Sequence, residues 1–185
     1  MNQQTTIAEI LEYNKSFVQA DGGKEYTADR KPKKQLAIVT CMDSRLITLL
    51  NEALGLKNGD ANIIKLAGAE VIEAYGAVMR SLLVAIHMLD VRDVMVIAHT
   101  ECGVQDMNAQ KVSDLMRQSG INDEAFEAVK QGGIDLAAFM EGFGDMEDSV
   151  RSSVATIREH PLIPPHVNVY GFVIEVQTGR LIPVE

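Results

Sequence analysis

Apolar residues fall into two rhythms along this chain. Short apolar runs occur at Gln35 to Thr40, Asn62 to Leu66, Val94 to Ala98 and Val167 to Val176, and each has the length of a buried strand. Longer amphipathic stretches separate them. Leu46, Leu49, Leu50, Ala53 and Leu54 keep a 3.6-residue period, and Gly55 is placed to stop that helix. Val71, Tyr75, Val78, Leu82, Ile86 and Leu89 line one stripe, which predicts a helix from about Val71 to Leu89. From about Asn108 to His160 the pattern is helical, with breaks near Gly120, Gly132-Gly133 and Gly142-Phe143-Gly144. Pro161, Pro164 and Pro165 make a rigid turn, and Thr178-Gly179 turns the chain into a short last strand, Arg180 to Val184. Strands alternating with helices predict an α/β domain with a mainly parallel central sheet flanked by helices.

Ahead of this lies a different segment. Thr6-Ile7-Ala8-Glu9 has the form of a capping box, and Ile7, Ile10, Leu11, Phe17 and Val18 share one helical face. Asp21 to Lys34 is polar and carries Gly22-Gly23 and Pro32, so it reads as a linker. Residues 1–34 are thus expected to be an N-terminal helical arm and linker, and residues 35–185 the main domain. An arm with an apolar face must pack on its own domain or on a partner subunit.

Composition narrows the function classes. A hydrophobic fraction of 46% permits one sizeable core, filled by aliphatic residues and nine methionines because tryptophan is absent. Seventeen Lys and Arg against 26 Asp and Glu leave a net charge of −9, which gives no general attraction to phosphate backbones. The one basic cluster, Arg30-Lys31-Pro32-Lys33-Lys34, reads as a solvated linker, so no nucleic-acid partner is expected. No apolar signal core follows Met1, and the longest apolar stretch, Leu82 to Leu89, contains His87 and is too short to span a bilayer. The expectation is a cytoplasmic protein with no membrane partner. Two cysteines are too few for a disulfide framework, and in a reducing compartment they read as buried, reactive or metal-bound.

Both cysteines stand in polar motifs at strand ends. Cys41-Met42-Asp43-Ser44-Arg45 follows the first strand, and His99-Thr100-Glu101-Cys102-Gly103 follows the third. In parallel sheets ligands bind beyond the carboxyl ends of the strands, so the two motifs belong to one site. Two thiolates and an imidazole form a ligand set that zinc accepts, and three protein ligands leave a fourth tetrahedral position open. A closed structural site would show four such ligands. Asp43 beside Arg45 reads as a guanidinium-held carboxylate or as a helix N-terminal carboxylate satisfied by amides. Ser44 is placed to cap the following helix. Glu101 reads as either a supporting residue or a solvent-facing one, and His87, His160 and His166 read as structural or loop residues.

Cys-x-Asp-Ser-Arg followed by His-x-x-Cys-Gly resembles the signature of the β-class carbonic anhydrases, over a span from about Gln35 to the C-terminus. The short microbial members are the most similar. The resemblance implies that Cys41, His99 and Cys102 hold Zn²⁺, that Asp43 and Arg45 form a catalytic dyad, and that Gly68 and Gly103 lie in the substrate pocket. It also implies reversible hydration of CO2 to bicarbonate and a proton by hydroxide on the metal. Further implications are an antiparallel edge strand and an N-terminal arm embracing a second subunit, in a homodimer or dimer-based higher oligomer. Two thiolates make a weaker Lewis acid than three histidines, so activity is expected to climb above neutral pH. Many relatives carry Asn-Ala-Gly where this chain has Leu66-Ala67-Gly68, and relatives with a bicarbonate switch carry a tryptophan in the region of Ile38. The alternatives are hydrolysis of carbonyl sulfide or carbon disulfide at the same type of site, or a non-catalytic zinc-stabilised binding protein.

Overall fold

The computed structural model describes the backbone from residue 3 and side chains from residue 5, through to residue 185. Five strands form one sheet: β1 (Leu36–Cys41), β2 (Ala61–Leu66), β3 (Asp93–His99), β4 (Asn168–Ile174) and β5 (Leu181–Val184). Their order across the sheet is β2-β1-β3-β4-β5. The first four are parallel, and β5 closes the edge antiparallel to β4. Among the described residues the helices are α1 (Gln3–Gln19), α2 (Leu46–Ala53), α3 (Ala77–Leu89), α4 (Ala109–Gln118), α5 (Asp123–Gln131), α6 (Leu136–Phe139) and α7 (Met146–Arg158).

Strand alternation sorts the side chains into two layers of core. Ala37 and Val39 of β1, Val94, Val96 and Ala98 of β3, and Val169 and Val173 of β4 face α3 and α7, meeting Met79, Leu82, Ile86, Val154 and Ile157. Ile38, Ile97 and Ile174 face the other way and meet Leu46 and Leu50 of α2. An eight-residue helix is not stable alone. Leu46 and Leu50, spaced i, i+4 and fully buried, each contribute about 1.5–3 kcal/mol of transfer free energy and hold α2 on the sheet. Gly171 lets α7 approach β4 closely, since a Cβ there would lie 2.6 Å from Val150 Cγ1.

Four local expectations need correction. The third helix begins at Ala77 rather than near Val71, with Gly76 at its N-cap. Val71 is buried on its own account, its amide donating to Ser153 Oγ, while Tyr75 is 79% exposed, so the apolar stripe ran through a loop. Helix α1 already runs from Gln3, so Thr6 lies inside it and is not a cap. Ser44 does not cap α2, whose N-cap residue is Arg45 with no side-chain cap; the Asp43 carboxylate accepts from the Arg45 amide at 2.8 Å just ahead of the helix. The last strand is one residue shorter than expected, beginning at Leu181. Ile7, Ile10, Leu11 and Val18 of α1 are all more than half exposed. Among the described residues no helix is long and apolar enough to cross a membrane.

Candidate metal centre

The site lies where the strand order reverses. From β1 the chain passes to β2 on one side and later to β3 on the other, which opens a crevice beyond the carboxyl ends of β1 and β3. Cys41 is the last residue of β1 and His99 the last of β3. A tight turn then returns Cys102 to the same point, with Glu101 in the left-handed region at φ 58°. All three side chains are buried, and their donor atoms lie within 4.8 Å of one another.

The donor set fits a tetrahedral metal. The two sulfurs stand 3.9 Å apart, and two thiolates each about 2.3 Å from a tetrahedral ion stand about 3.8 Å apart. His99 Nδ1 lies 2.9 Å from the Thr100 carbonyl. A carbonyl only accepts, so Nδ1 carries the proton and Nε2 presents its lone pair. That Nε2 is buried without a hydrogen-bond partner, which is costly unless something else meets it.

Electrostatics prepare the two sulfurs differently. Burial opposes ionisation of Cys41, but the His99 ring and the backbone amides of Asp43 and Gly68 outweigh it and bring the pKa down to about 7. Burial pushes the Cys102 thiol up, and the neighbouring Cys41 adds to the rise. Burial also works against charge on His99, yet Cys41 and the Thr100 carbonyl raise its pKa overall. Lys65 extends from β2 and donates to the Cys41 carbonyl at 3.3 Å, which brings a positive charge beside the thiolates. Burial lowers the pKa of this lysine.

Asp43 and Arg45 are paired, as their spacing suggested. Arg45 Nη2 donates to Asp43 Oδ2 at 2.9 Å and Nε to Oδ1 at 3.1 Å. The guanidinium and the Arg45 amide hold the Asp43 carboxyl down to about 2. Asp43 Oδ2 lies 3.8 Å from His99 Nε2, so the carboxylate stands beside the donor cluster. Gly68 is buried with φ 72°, and Glu70, Val104 and Phe143 crowd it. Gly103 is exposed next to Cys102. Ile38 is fully buried, and Leu66 lines a cavity of about 440 Å³ together with Glu70 and Glu141.

The remaining histidines stand apart from this cluster. His87 Nε2 contacts the Leu162 carbonyl at 2.9 Å, and His160 is buried against the Tyr75 ring. His166 is exposed in the proline turn. Sequence reasoning left Glu101 open and did not single out Lys65 or Gln177. Both Glu101 and Gln177 belong to the polar frame: Arg45 Nη1 donates to Glu101 Oε2 at 3.1 Å, and Gln177 Nε2 donates to Glu101 Oε1 at 3.3 Å.

Comparison with known proteins agrees with this geometry. The family model for carbonic anhydrase matches residues 36–181. The chain is 44% identical over 181 residues to YvdA of Bacillus subtilis, a protein provisionally named a carbonic anhydrase, covering 98% of this chain and 92% of that one. A crystal structure of β-carbonic anhydrase isoform I from Trichomonas vaginalis matches with a TM-score of 0.84 at 30% identity, over 100% of both chains. A carbon disulfide hydrolase of Acidithiobacillus thiooxidans is 27% identical over 159 residues, covering 81% of this chain and 77% of that one. With both motifs closing on one crevice of this sheet, the chain belongs to the β-carbonic anhydrase family.

Proposed function

We propose that this protein is a zinc enzyme that hydrates CO2 reversibly to bicarbonate and a proton. The observation carrying this reading is the buried trio Cys41, His99 and Cys102, with an unpartnered His99 Nε2 and a sulfur spacing suited to a tetrahedral ion. Bound zinc supplies the Lewis acidity that makes water a nucleophile at working pH. The chain's own residues do the rest. Cys41, His99 and Cys102 would hold the ion. Asp43 stays ionised because Arg45 holds its pKa at about 2, so it can only accept a hydrogen bond; it orients the nucleophile's lone pair toward the substrate carbon. Gly68 and Gly103 keep side chains away from the room a linear substrate needs.

The dyad beside the trio separates this reading from a purely structural zinc site, which would close on a fourth ligand. A second reading is hydrolysis of carbon disulfide or carbonyl sulfide. It draws on the carbon disulfide hydrolase relative and on Leu66, an apolar side chain where many relatives carry Asn. The exposed apolar face of α1 supports a homo-oligomer in which residues 1–34 form an arm against a second copy.

The test is stopped-flow CO2 hydration by the zinc-loaded protein, read with a pH indicator and run beside sulfide release from carbon disulfide and carbonyl sulfide. Hydration that increases above neutral pH is expected. Zinc uptake without any CO2 hydration would overturn the main reading, and sulfide release in its place would establish the second.

A further inference from the structure

Arg45 is held from two sides. One side is Asp43; the other is Glu101, which offers Oε2 to Nη1 at 3.1 Å and its carbonyl to Nη2 at 3.0 Å. The left-handed backbone of Glu101 brings carbonyl and carboxylate onto one guanidinium, a conformation few non-glycine residues adopt. Gln177, in the turn between β4 and β5, tethers the other carboxylate oxygen. Asp43 Oδ2 meanwhile stands 3.8 Å from His99 Nε2, inside the span that separates the three candidate ligands from each other. A carboxylate so placed is itself a competitor for the fourth coordination position.

We propose that Glu101 is a positioning residue: it braces Arg45, and Arg45 so braced keeps Asp43 off the fourth coordination position. The inference rests on the metal-site reading above and deepens it. Glu101 touches no substrate and acts only through Arg45. Its side chain is 56% exposed and that of Arg45 43%, so the pair adds little to stability. A positional role needs only a few-fold bias between two placements of Asp43, and a weak pair can supply that.

The probe is azide, titrated against cobalt-loaded protein and followed by visible absorption. It enters the fourth position only when Asp43 is not there. E101A is expected to weaken azide binding about fivefold, the bias an exposed ion pair can exert. E101Q, which keeps an acceptor for Arg45, should lie nearer the parent protein. The effect must run through Asp43, so in a D43A background E101A should change nothing. Unchanged azide affinity in E101A would overturn the proposal. An equal loss in the D43A background would overturn it too, because Glu101 would then act on the Cys102 turn directly. Should E101A fail to fold, Q177A carries the same test with a smaller loss that D43A abolishes. Failure of the parent protein to take up cobalt would remove the metal-site reading and this inference with it, whereas cobalt uptake with no azide effect removes the inference alone.

Discussion

Replacing Gly68 by alanine probes the wall of the site, and its cost can be worked from two separate sources. The first is backbone. Gly68 has φ 72°, and a left-handed conformation costs an L-residue with a Cβ about 1–2 kcal/mol. The second is contact. The new methyl would lie 3.1 Å from Glu70 Oε2, 3.1 Å from Val104 Cγ1 and 3.2 Å from Phe143 Cε1. Glu70 presents the end of a flexible side chain and can swing aside. Val104 and Phe143 pack in the core cluster around Cys41 and Cys102, so their retreat strains that cluster. Crowding of this kind costs about 1–3 kcal/mol.

Together these give about 2–5 kcal/mol, a large part of the 5–15 kcal/mol typical of a folded domain. Gly55 supplies the control, since it has φ 61° with open space where its Cβ would stand. G55A should therefore show only the backbone cost, about 1–2 kcal/mol. Urea unfolding of the metal-free proteins, followed by circular dichroism, measures both. A second readout is specific to the site. The Gly68 amide helps to lower the Cys41 pKa, so G68A should move the thiolate absorbance of Cys41 to higher pH and G55A should not. Equal destabilisation by the two substitutions, with an unmoved Cys41 titration, would refute the account.

Other outcomes follow from the electrostatics. D43A should retain zinc and lose about 100-fold or more in CO2 hydration, since it removes an orienting acceptor and leaves the three donors in place; retained activity by stopped flow would remove Asp43 from its role. Zinc binding should release protons, because ligation needs thiolates and neutral imidazole. Cys41 with a pKa of about 7 is largely protonated at about pH 6 and largely ionised at about pH 8, so calorimetry in buffers of different ionisation enthalpy should find more protons released at the lower pH. Burial raises the Glu70 pKa, so its ionised form is disfavoured in the folded state. Stability therefore falls as pH rises above the ordinary glutamate value and toward the raised one. E70Q keeps an acceptor for Ser149 Oγ and should raise Tm at about pH 8 but not at about pH 4; equal Tm values at the higher pH would contradict this.

Much of this architecture was legible in the sequence because buried strands in a parallel sheet are apolar throughout and end abruptly. Cys41 and His99 stood out as the first chemistry after such runs, and both close their strands in the structure. What stayed hidden depends on contacts between distant turns. Glu101 and Gln177 are 76 residues apart, and no periodicity links them. They meet because β4 lies beside β3, which brings the turn after β4 against the turn after β3. The start of α3 was misplaced for a related reason. Val71 is apolar because it fills the sheet–helix core from a loop, and a helical period cannot tell a loop residue from the next turn of a helix.

The site is set less by its polar residues than by the register of the apolar ones. In β3, Val94, Val96 and Ala98 face α3 and α7, while Ile97 and then His99 point to the side where α2 lies. Thr40 pairs with Ile97, so Cys41 comes level with Ala98 and His99 reaches one residue further. A slip of one residue in β3 would carry Ala98 to the place of His99 and turn three buried valine and alanine side chains toward α2. Burial of those side chains therefore holds the imidazole beside the thiols. Substitutions that loosen β3 at Val96 or Ile97, both fully buried, should weaken zinc affinity as well as stability, although neither residue offers a donor to the metal.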